Sequence, residues 1–122
     1  MTKTITAAQF RQIKKPAARS KYKNKKTVRD GITFHSKREA DYYSELRLRE
    51  AAGEVCEVQM QVPYKLVVEG HLIETYRADF VFWDCVAKRT RVIDVKGYET
   101  RDFKRKRKWM LAIHKIDVEV VK

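Results

Sequence analysis

The sequence predicts an α/β domain of the α+β kind, with a central mixed β-sheet flanked by helices in the order α-β-β-β-α-β. Three observations favour it. A helical spacing of apolar residues ends before Gly53, and three extended runs rich in β-branched and aromatic residues follow between residues 55 and 96. A second helical pattern then separates these runs from a last extended run at 116–122. At 122 residues, 43% of them apolar, the chain is the size of one domain.

The first helix begins after Ser36, where a Glu39 three residues later forms a capping-box pattern. It is expected to run to about residue 52 and to end at Gly53. Ala40, Tyr43 and Leu46 recur at helical spacing and are predicted to face the core. Before this helix, residues 30–36 predict a turn followed by a short extended piece.

Three strands are predicted next. Residues 62–68 alternate in polarity, and Pro63 favours an edge or strand-start position. Residues 69–71 predict a hairpin turn, 72–84 a second strand, 86–88 a loop, and 91–97 a third strand that ends at Gly97. The second helix spans residues 99–115. The residues expected on its core-facing side are Phe103, Met110, Leu111 and His114, with Trp109 either packed in the core or stacked on a base.

The net charge of +12 is concentrated in two places. Residues 1–30 hold ten Lys and Arg against one acid, and residues 101–108 hold six against one. We therefore expect a basic arm over residues 1–29, which orders on a partner, followed by a domain over residues 30–122. Two such patches favour a polyanion partner, the alternative being a solubilising surface. The expected nucleic-acid-binding residues are Lys21, Lys23, Lys25, Lys26, Arg101, Lys104, Arg105 and Lys108.

Several classes of protein and site are disfavoured. No apolar run approaches 18 residues, so no membrane span is expected, and the first ten residues do not resemble a secretory signal. Cys56 and Cys85 are isolated and the three histidines are scattered, which argues against zinc. Two reduced thiols are typical of an intracellular protein.

The candidate catalytic residues are Asp79, Asp94 and Lys96. Residues 94 and 96 share one face of their strand, and folding the hairpin about residues 86–88 brings Asp79 opposite Asp94 within about a residue. Two close, buried carboxylates need a shared cation, and oxygen ligands favour Mg²⁺ or Mn²⁺. Two plain alternatives remain open: Asp94 and Lys96 on the exposed face of an edge strand, and Asp79 in a salt bridge with Arg77.

These residues also carry a resemblance. "ADF" at residues 78–80, "DVKG" at 94–97 and the helix with Glu39 resemble the PD-(D/E)xK nuclease superfamily. Over residues 21–120 the layout "YKNKKT…DGITFHSKREADYY…QVPYKL…ADF…DVKG" resembles a family of small phage and prophage proteins of undefined function. Its order and spacing are similar to those of phage endonuclease I type junction-resolving enzymes.

The resemblance implies a restriction-endonuclease-like core. It implies Asp79, Asp94 and the Val95 carbonyl as metal ligands and Lys96 as the catalytic lysine. Glu39 matches the acidic residue that binds or orients a second metal, although a capping role alone also explains it. Two departures, Ala78 in place of the usual proline and Asp94 in place of glutamate, remove no ligand. Gln59 and Gln61 lie near a supporting glutamine of some members.

The function expected from these observations is a Mg²⁺-dependent (or Mn²⁺-dependent) endonuclease that hydrolyses DNA phosphodiester bonds, with branched DNA such as a Holliday junction as a candidate substrate. The resemblance implies the cytoplasm of a phage or prophage host, and a homodimer for symmetric cutting. Two alternatives stay open, a non-catalytic nucleic-acid-binding protein on the same scaffold and a phage structural or packaging accessory protein. RNA is not excluded as the partner.

Overall fold

The computed structural model describes residues 25–122. The chain divides into two compact units between Lys37 and Arg38. In the first, β1 (Thr27–Arg29) pairs antiparallel with β2 (Ile32–Phe34). Asp30 and Gly31 between them have φ of 54° and 77°, the left-handed conformation that Asp-Gly hairpin turns require. The last residues of the predicted arm therefore form a strand, and the predicted contacts of Lys21 and Lys23 fall outside the described residues.

The second unit is built around a four-stranded sheet. The helix α1 (Lys37–Ala51) is followed by β3 (Val55–Val68), β4 (His71–Asp84) and β5 (Arg89–Val95). Next come α2 (Arg101–Trp109), which continues as a π-helical turn over Met110–His114, and β6 (Glu119–Val121). The strand order is β3-β4-β5-β6, antiparallel except for the parallel pair β5–β6. This mixed sheet with its helices confirms the predicted α+β fold and element order.

The helix α1 ends where the sequence predicts, because Gly53 adopts a φ of 80° that suits the position after a helix. The three residues expected to face the core, Ala40, Tyr43 and Leu46, are all buried. The same face buries Glu39 and Tyr42, and the Tyr42 ring packs 5.3 Å from the ring of Phe80 on β4. A carboxylate is thus carried into the interior on an otherwise apolar helix face.

The helix α2 covers a second core cluster. Thr100 caps it by accepting a hydrogen bond from the Phe103 N–H at 3.1 Å, and Phe103 and Met110 are buried as predicted. Leu111, expected on the same side, is instead 52% exposed, and His114 is also exposed. The π-turn that begins at Met110 explains this difference, since its wider i→i+5 winding rotates the following residues off the face set by the α-helical part. Residues that pack against the cluster from this segment are Trp109, Ile113 and Ile116.

The strands β3 and β4 form a long hairpin, closed by a turn at Glu69 and Gly70 whose φ values of 48° and 83° are left-handed. Because β4 pairs with β5 only over residues 80–84, the rest of the hairpin continues as a two-stranded ribbon. As the position of Pro63 predicts, β3 is an edge strand. No helix in residues 25–122 is long and apolar enough to cross a membrane.

The alternation of β4 shifts by one residue at Asp79. Ala78 and Val81 both belong to the cluster under α2, whereas Phe80 between them packs on α1. Strict alternation cannot place residues 78 and 81 on one side. On the neighbouring strand Gln61, which lies between the paired residues 60 and 62, has a left-handed φ of 55°. The irregularity therefore spans both strands at the position where the candidate site lies.

Candidate metal centre

Asp79 and Asp94 face each other across β4 and β5. The register that pairs Phe80 with Ile93 places residue 79 opposite residue 94. The backbone pairing of β4 with β5 stops at this point, and the Val95 N–H instead donates to the side-chain oxygen Asp79 Oδ2 at 2.9 Å. The predicted juxtaposition of the two aspartates is present, at the end of the regular β4–β5 pairing.

Gln61 links two of the carboxylates. Its Nε2 donates to Glu39 Oε2 at 3.1 Å and to Asp79 Oδ1 at 3.3 Å. An amide nitrogen has two hydrogens, so one side chain can serve both acids. Glu39 on α1 is in this way joined to Asp79 on β4, although the two residues lie 40 positions apart in the sequence.

Asp94 has two differently placed oxygens. The Tyr76 hydroxyl donates to Oδ2 at 2.6 Å. Oδ1 lies 3.3 Å from Lys96 Nζ without the geometry of a hydrogen bond. Oδ1 is the buried side-chain polar atom, among residues 25–122, that has no hydrogen-bond partner. The Lys96 ammonium also lies 4.9 Å from the centre of the Phe103 ring, a cation–π distance.

The environment disfavours negative charge on the acids. Burial, followed by the charge of Glu39, raises the pKa of Asp79 to about 6. Burial, followed by the charge of Asp79, also raises the pKa of Asp94, and the Tyr76 and Lys96 contacts offset only part of this shift. Burial and the Asp94 carboxylate raise the pKa of Tyr76, so its hydroxyl keeps its proton and acts as a donor. When ionised, the carboxylates of Glu39, Asp79 and Asp94 carry more negative charge than the single ammonium of Lys96 neutralises.

A hard divalent cation fits this donor set. Asp94 Oδ1 is a buried carboxylate oxygen without a donor, and Asp79 lies opposite it. In the described part of the chain, no group of three or more His, Cys, Asp or Glu side chains is arranged to hold a metal ion on its own. Mg²⁺ suits a site with fewer protein ligands, because it keeps several waters and binds through one or two carboxylates plus substrate phosphates. Asp79 and Asp94 are therefore the residues that could hold such an ion, together with waters and substrate phosphates.

The structure excludes the two alternative interpretations of the aspartates, an exposed edge-strand position for Asp94 and a salt bridge with Arg77 for Asp79. Asp94 is 3% exposed on a strand that has a neighbour on each side, so it does not lie on an open edge. Asp79 contacts Gln61 and the Val95 N–H, and Arg77 is exposed with no ion pair to it among residues 25–122. Val95 lies at the site through its N–H; a role for its carbonyl stays a prediction.

The basic residues of α2 fall into two groups. Arg105 bonds to both oxygens of Glu74, at 3.2 and 3.0 Å, and to Asp102 at 2.9 Å. Arg101, Lys104 and Lys108 are exposed and make no ion pair with another residue of the described chain. Their spacing of three and four places them along one side of the helix. Lys25 and Lys26 are likewise exposed.

Sequence reasoning gave little weight to one site residue and missed another. The resemblance placed Gln61 only near a supporting glutamine of some members, whereas in the structure its side chain bridges Glu39 and Asp79. Tyr76 was predicted only as part of an apolar strand, yet its hydroxyl holds Asp94. The signal available for Gln61 was its position opposite Asp79 in the β3–β4 hairpin; for Tyr76 the sequence offers none beyond its place on the strand.

The comparisons with known proteins identify a family for this chain, but that family has no described activity. No curated protein and no solved structure matches the chain. A family model described as "Protein of unknown function (DUF1064)" matches residues 19–121, which is most of the chain and includes every residue of the site. The protein therefore belongs to the DUF1064 family.

Proposed function

We propose that this protein is a Mg²⁺-dependent endonuclease that hydrolyses DNA phosphodiester bonds, built on a nuclease core of the PD-(D/E)xK kind. One observation carries the proposal: the buried Asp94 faces the half-buried Asp79, and the Asp94 oxygen Oδ1, which has no hydrogen-bond donor, lies 3.3 Å from the ammonium of Lys96. Burying like charges is costly without a shared cation. Such an arrangement is unfavourable for stability alone and is typical of functional sites.

Asp79 and Asp94 would hold the metal, with the Val95 carbonyl as a further ligand and Glu39 tied to Asp79 through Gln61. When bound, Mg²⁺ supplies charge stabilisation for a phosphoryl group and lowers the pKa of a bound water. Lys96 is half-buried beside Asp94, and its ammonium would turn to a phosphate oxygen or an attacking water. The Phe103 ring beneath the ammonium keeps it at the site.

The free cations of α2 supply the nucleic-acid contact. The helix α2, which carries Arg101, Lys104 and Lys108, begins shortly after β5, the strand that carries Asp94. Three phosphate contacts predict that the logarithm of the binding constant for duplex DNA falls with the logarithm of salt concentration with a slope of about −3. The basic residues 1–24 would add to this slope.

A cleavage assay tests the proposal. Purified protein is incubated with linear duplex, single-stranded, flap and four-way-junction DNA, and with RNA, in Mg²⁺, Mn²⁺ or EDTA. We expect metal-dependent cutting that falls at least a thousandfold in Asp79→Asn and in Asp94→Asn. Asp102→Asn, an exposed acid on α2, is the matched control and should still cut.

The pattern of outcomes separates the candidates. Binding to every substrate without cutting would overturn the nuclease and leave the non-catalytic nucleic-acid-binding protein. A preference for the four-way junction would name the substrate and require two active sites for symmetric cutting. We therefore extend the proposal to a homodimer on DNA, which light scattering with and without the junction would test.

A further inference from the structure

Tyr76 stands out among the described residues as a buried phenol directed at the candidate metal centre. It lies on β4 and is 3% exposed. Its ring packs 6.4 Å from the Phe103 ring and belongs to the core cluster under α2. The hydroxyl is therefore fixed by the packing of the ring, and it donates to Asp94 Oδ2 at 2.6 Å.

The hydrogen bond from Tyr76 makes the two carboxylate oxygens of Asp94 different from each other. Oδ2 is held by a neutral donor, whereas Oδ1 is left without a hydrogen bond, next to Lys96. Rotation of the Asp94 carboxylate away from Asp79 would lower the repulsion between the two acids. The hydrogen bond from the Tyr76 hydroxyl to Oδ2 opposes this rotation. Since the phenol is neutral, it holds the group without adding a positive charge that would compete with a cation.

We propose that Tyr76 is the positioning residue of this site, which keeps Asp94 turned so that Oδ1 is presented to a divalent cation. The inference rests on the proposed metal-dependent function. Hydrogen-bonded partners of a metal ligand orient it and tune its affinity, and their loss typically weakens metal binding by about 10- to 100-fold. A plain core tyrosine would affect stability without affecting metal affinity.

The chain offers a matched control. Tyr64 on β3 is half-buried, packs against the same core cluster and contacts the His114 ring at 5.7 Å. Its hydroxyl makes no hydrogen bond to another residue of the described chain. Tyr76→Phe and Tyr64→Phe therefore remove the same atom from two cross-strand neighbours at one core cluster, and only the Tyr76 hydroxyl contacts an aspartate of the site.

The test is calorimetric titration of the full-length protein with Mn²⁺ at pH 8, after circular dichroism has verified the fold of each variant. We expect Tyr76→Phe to weaken binding about tenfold or more and Tyr64→Phe to leave it unchanged. A second hydroxyl-free variant, Tyr76→Leu, should weaken it at least as much. In cleavage assays Tyr76→Phe should raise the Mg²⁺ concentration for half-maximal rate more than it lowers the rate at saturation.

The two possible failures are distinguishable. Wild-type protein that takes up no Mn²⁺ would overturn the metal site itself and with it the proposed function. Wild-type binding that is unchanged in Tyr76→Phe would overturn the positioning role alone. A loss confined to Tyr76→Leu would also overturn it, because that result assigns the effect to packing of the ring.

Discussion

Two groups of carboxylates lie at opposite ends of the β4–β5 pairing, and their pKa values are shifted in opposite directions. Near the β4–β5 turn, Asp84 accepts hydrogen bonds from the Val86 and Ala87 N–H groups and from Arg91. Arg91 also forms a two-bond contact with Glu119 at 3.0 and 2.7 Å. At the other end of the pairing, Lys96 lies 3.3 Å from Asp94, and Asp79 forms no ion pair within residues 25–122. We refer to the first group, Asp84, Arg91 and Glu119, as the arginine cluster, and to the second, Glu39, Asp79 and Asp94, as the acid site.

The pKa shifts of the two clusters have opposite signs. Hydrogen bonds from the backbone and from Arg91 lower the pKa of Asp84, and the Arg91 contact lowers that of Glu119. In the acid site, burial and neighbouring carboxylates raise the pKa values of Asp79 and Asp94. Asp84 and Asp94 are nearly equally inaccessible, at 5% and 3% exposed, so the partners decide the difference. The arginine cluster is thus neutralised by its own contacts, whereas the acid site is not, as expected if it receives the proposed cation.

Among the substitutions that compare the two clusters, Lys96→Met has the largest expected effect, and it sharpens the comparison because it leaves the acid site with more uncompensated negative charge. Lys96→Met should lower DNA cleavage by about 100-fold or more, since it removes a charge that stabilises the phosphoryl transition state. The same change should tighten Mn²⁺ binding at pH 8 roughly three- to tenfold, because an ammonium 3.3 Å from Asp94 Oδ1 competes with the metal. Single-turnover cleavage and calorimetry measure the two quantities.

Lys65→Met is the control for that experiment. Lys65 is exposed on β3, and no ion pair links its side chain to another described residue, so neither quantity should change. Tighter metal binding with weaker cleavage would mark Lys96 as a competitor for the metal in the free protein and a participant in the reaction. Weaker metal binding in Lys96→Met would contradict that assignment.

Replacing Arg91 tests the other half of the comparison, the contribution of the arginine cluster to stability. Arg91→Met leaves Asp84 and Glu119 without their shared cation, and we expect it to lower the free energy of unfolding by about 3 kcal/mol. Chemical denaturation measures the loss. Arg47→Met is the control, because Arg47 pairs with Glu50 on the surface of α1 and should cost about 0.5 kcal/mol or less. Equal losses in the two variants would show that the arginine cluster is no more important than a surface ion pair.

Much of this arrangement followed from the sequence. Hairpin geometry was enough to place Asp79 opposite Asp94, because the loop at residues 86–88 fixes the register. The resemblance placed Gln61 near a supporting glutamine, but its contacts with Glu39 and Asp79 could not be predicted, since they depend on a left-handed backbone at residue 61 and on the shifted alternation of β4. Leu111 was misplaced because helical periodicity gives no sign of a π-turn. The pairing of Arg105 with Glu74, 31 residues away, likewise depends on how α2 packs on the hairpin.

The pH dependence of stability combines both clusters and gives the smallest effect. Asp79 has a folded pKa near 6, above its ordinary value of 3.8, so its contribution to stability is present at low pH and is lost as pH rises through 6. Metal-free protein should therefore gain about 1 kcal/mol between pH 7.5 and pH 5 from this group. Asp84 and Glu119 have lowered pKa values, so their contribution is present above the unfolded values and is lost as pH falls below about 4.

Stability is expected to be highest near pH 4, with the fall toward higher pH assigned to the acid site and the fall toward lower pH assigned to the arginine cluster. Thermal unfolding in EDTA from pH 3 to pH 8 measures it, and a change of 1 kcal/mol corresponds to roughly 4–8 °C for a domain of this size. Asp79→Asn should remove the fall between pH 5 and pH 7.5, and Asp84→Asn should reduce the fall below pH 4. Saturating Mg²⁺ should flatten the first fall alone, because the cation offsets charge in the acid site and not in the arginine cluster. A profile in which Mg²⁺ acts equally at both ends would show that the two clusters do not differ in the way their contacts indicate.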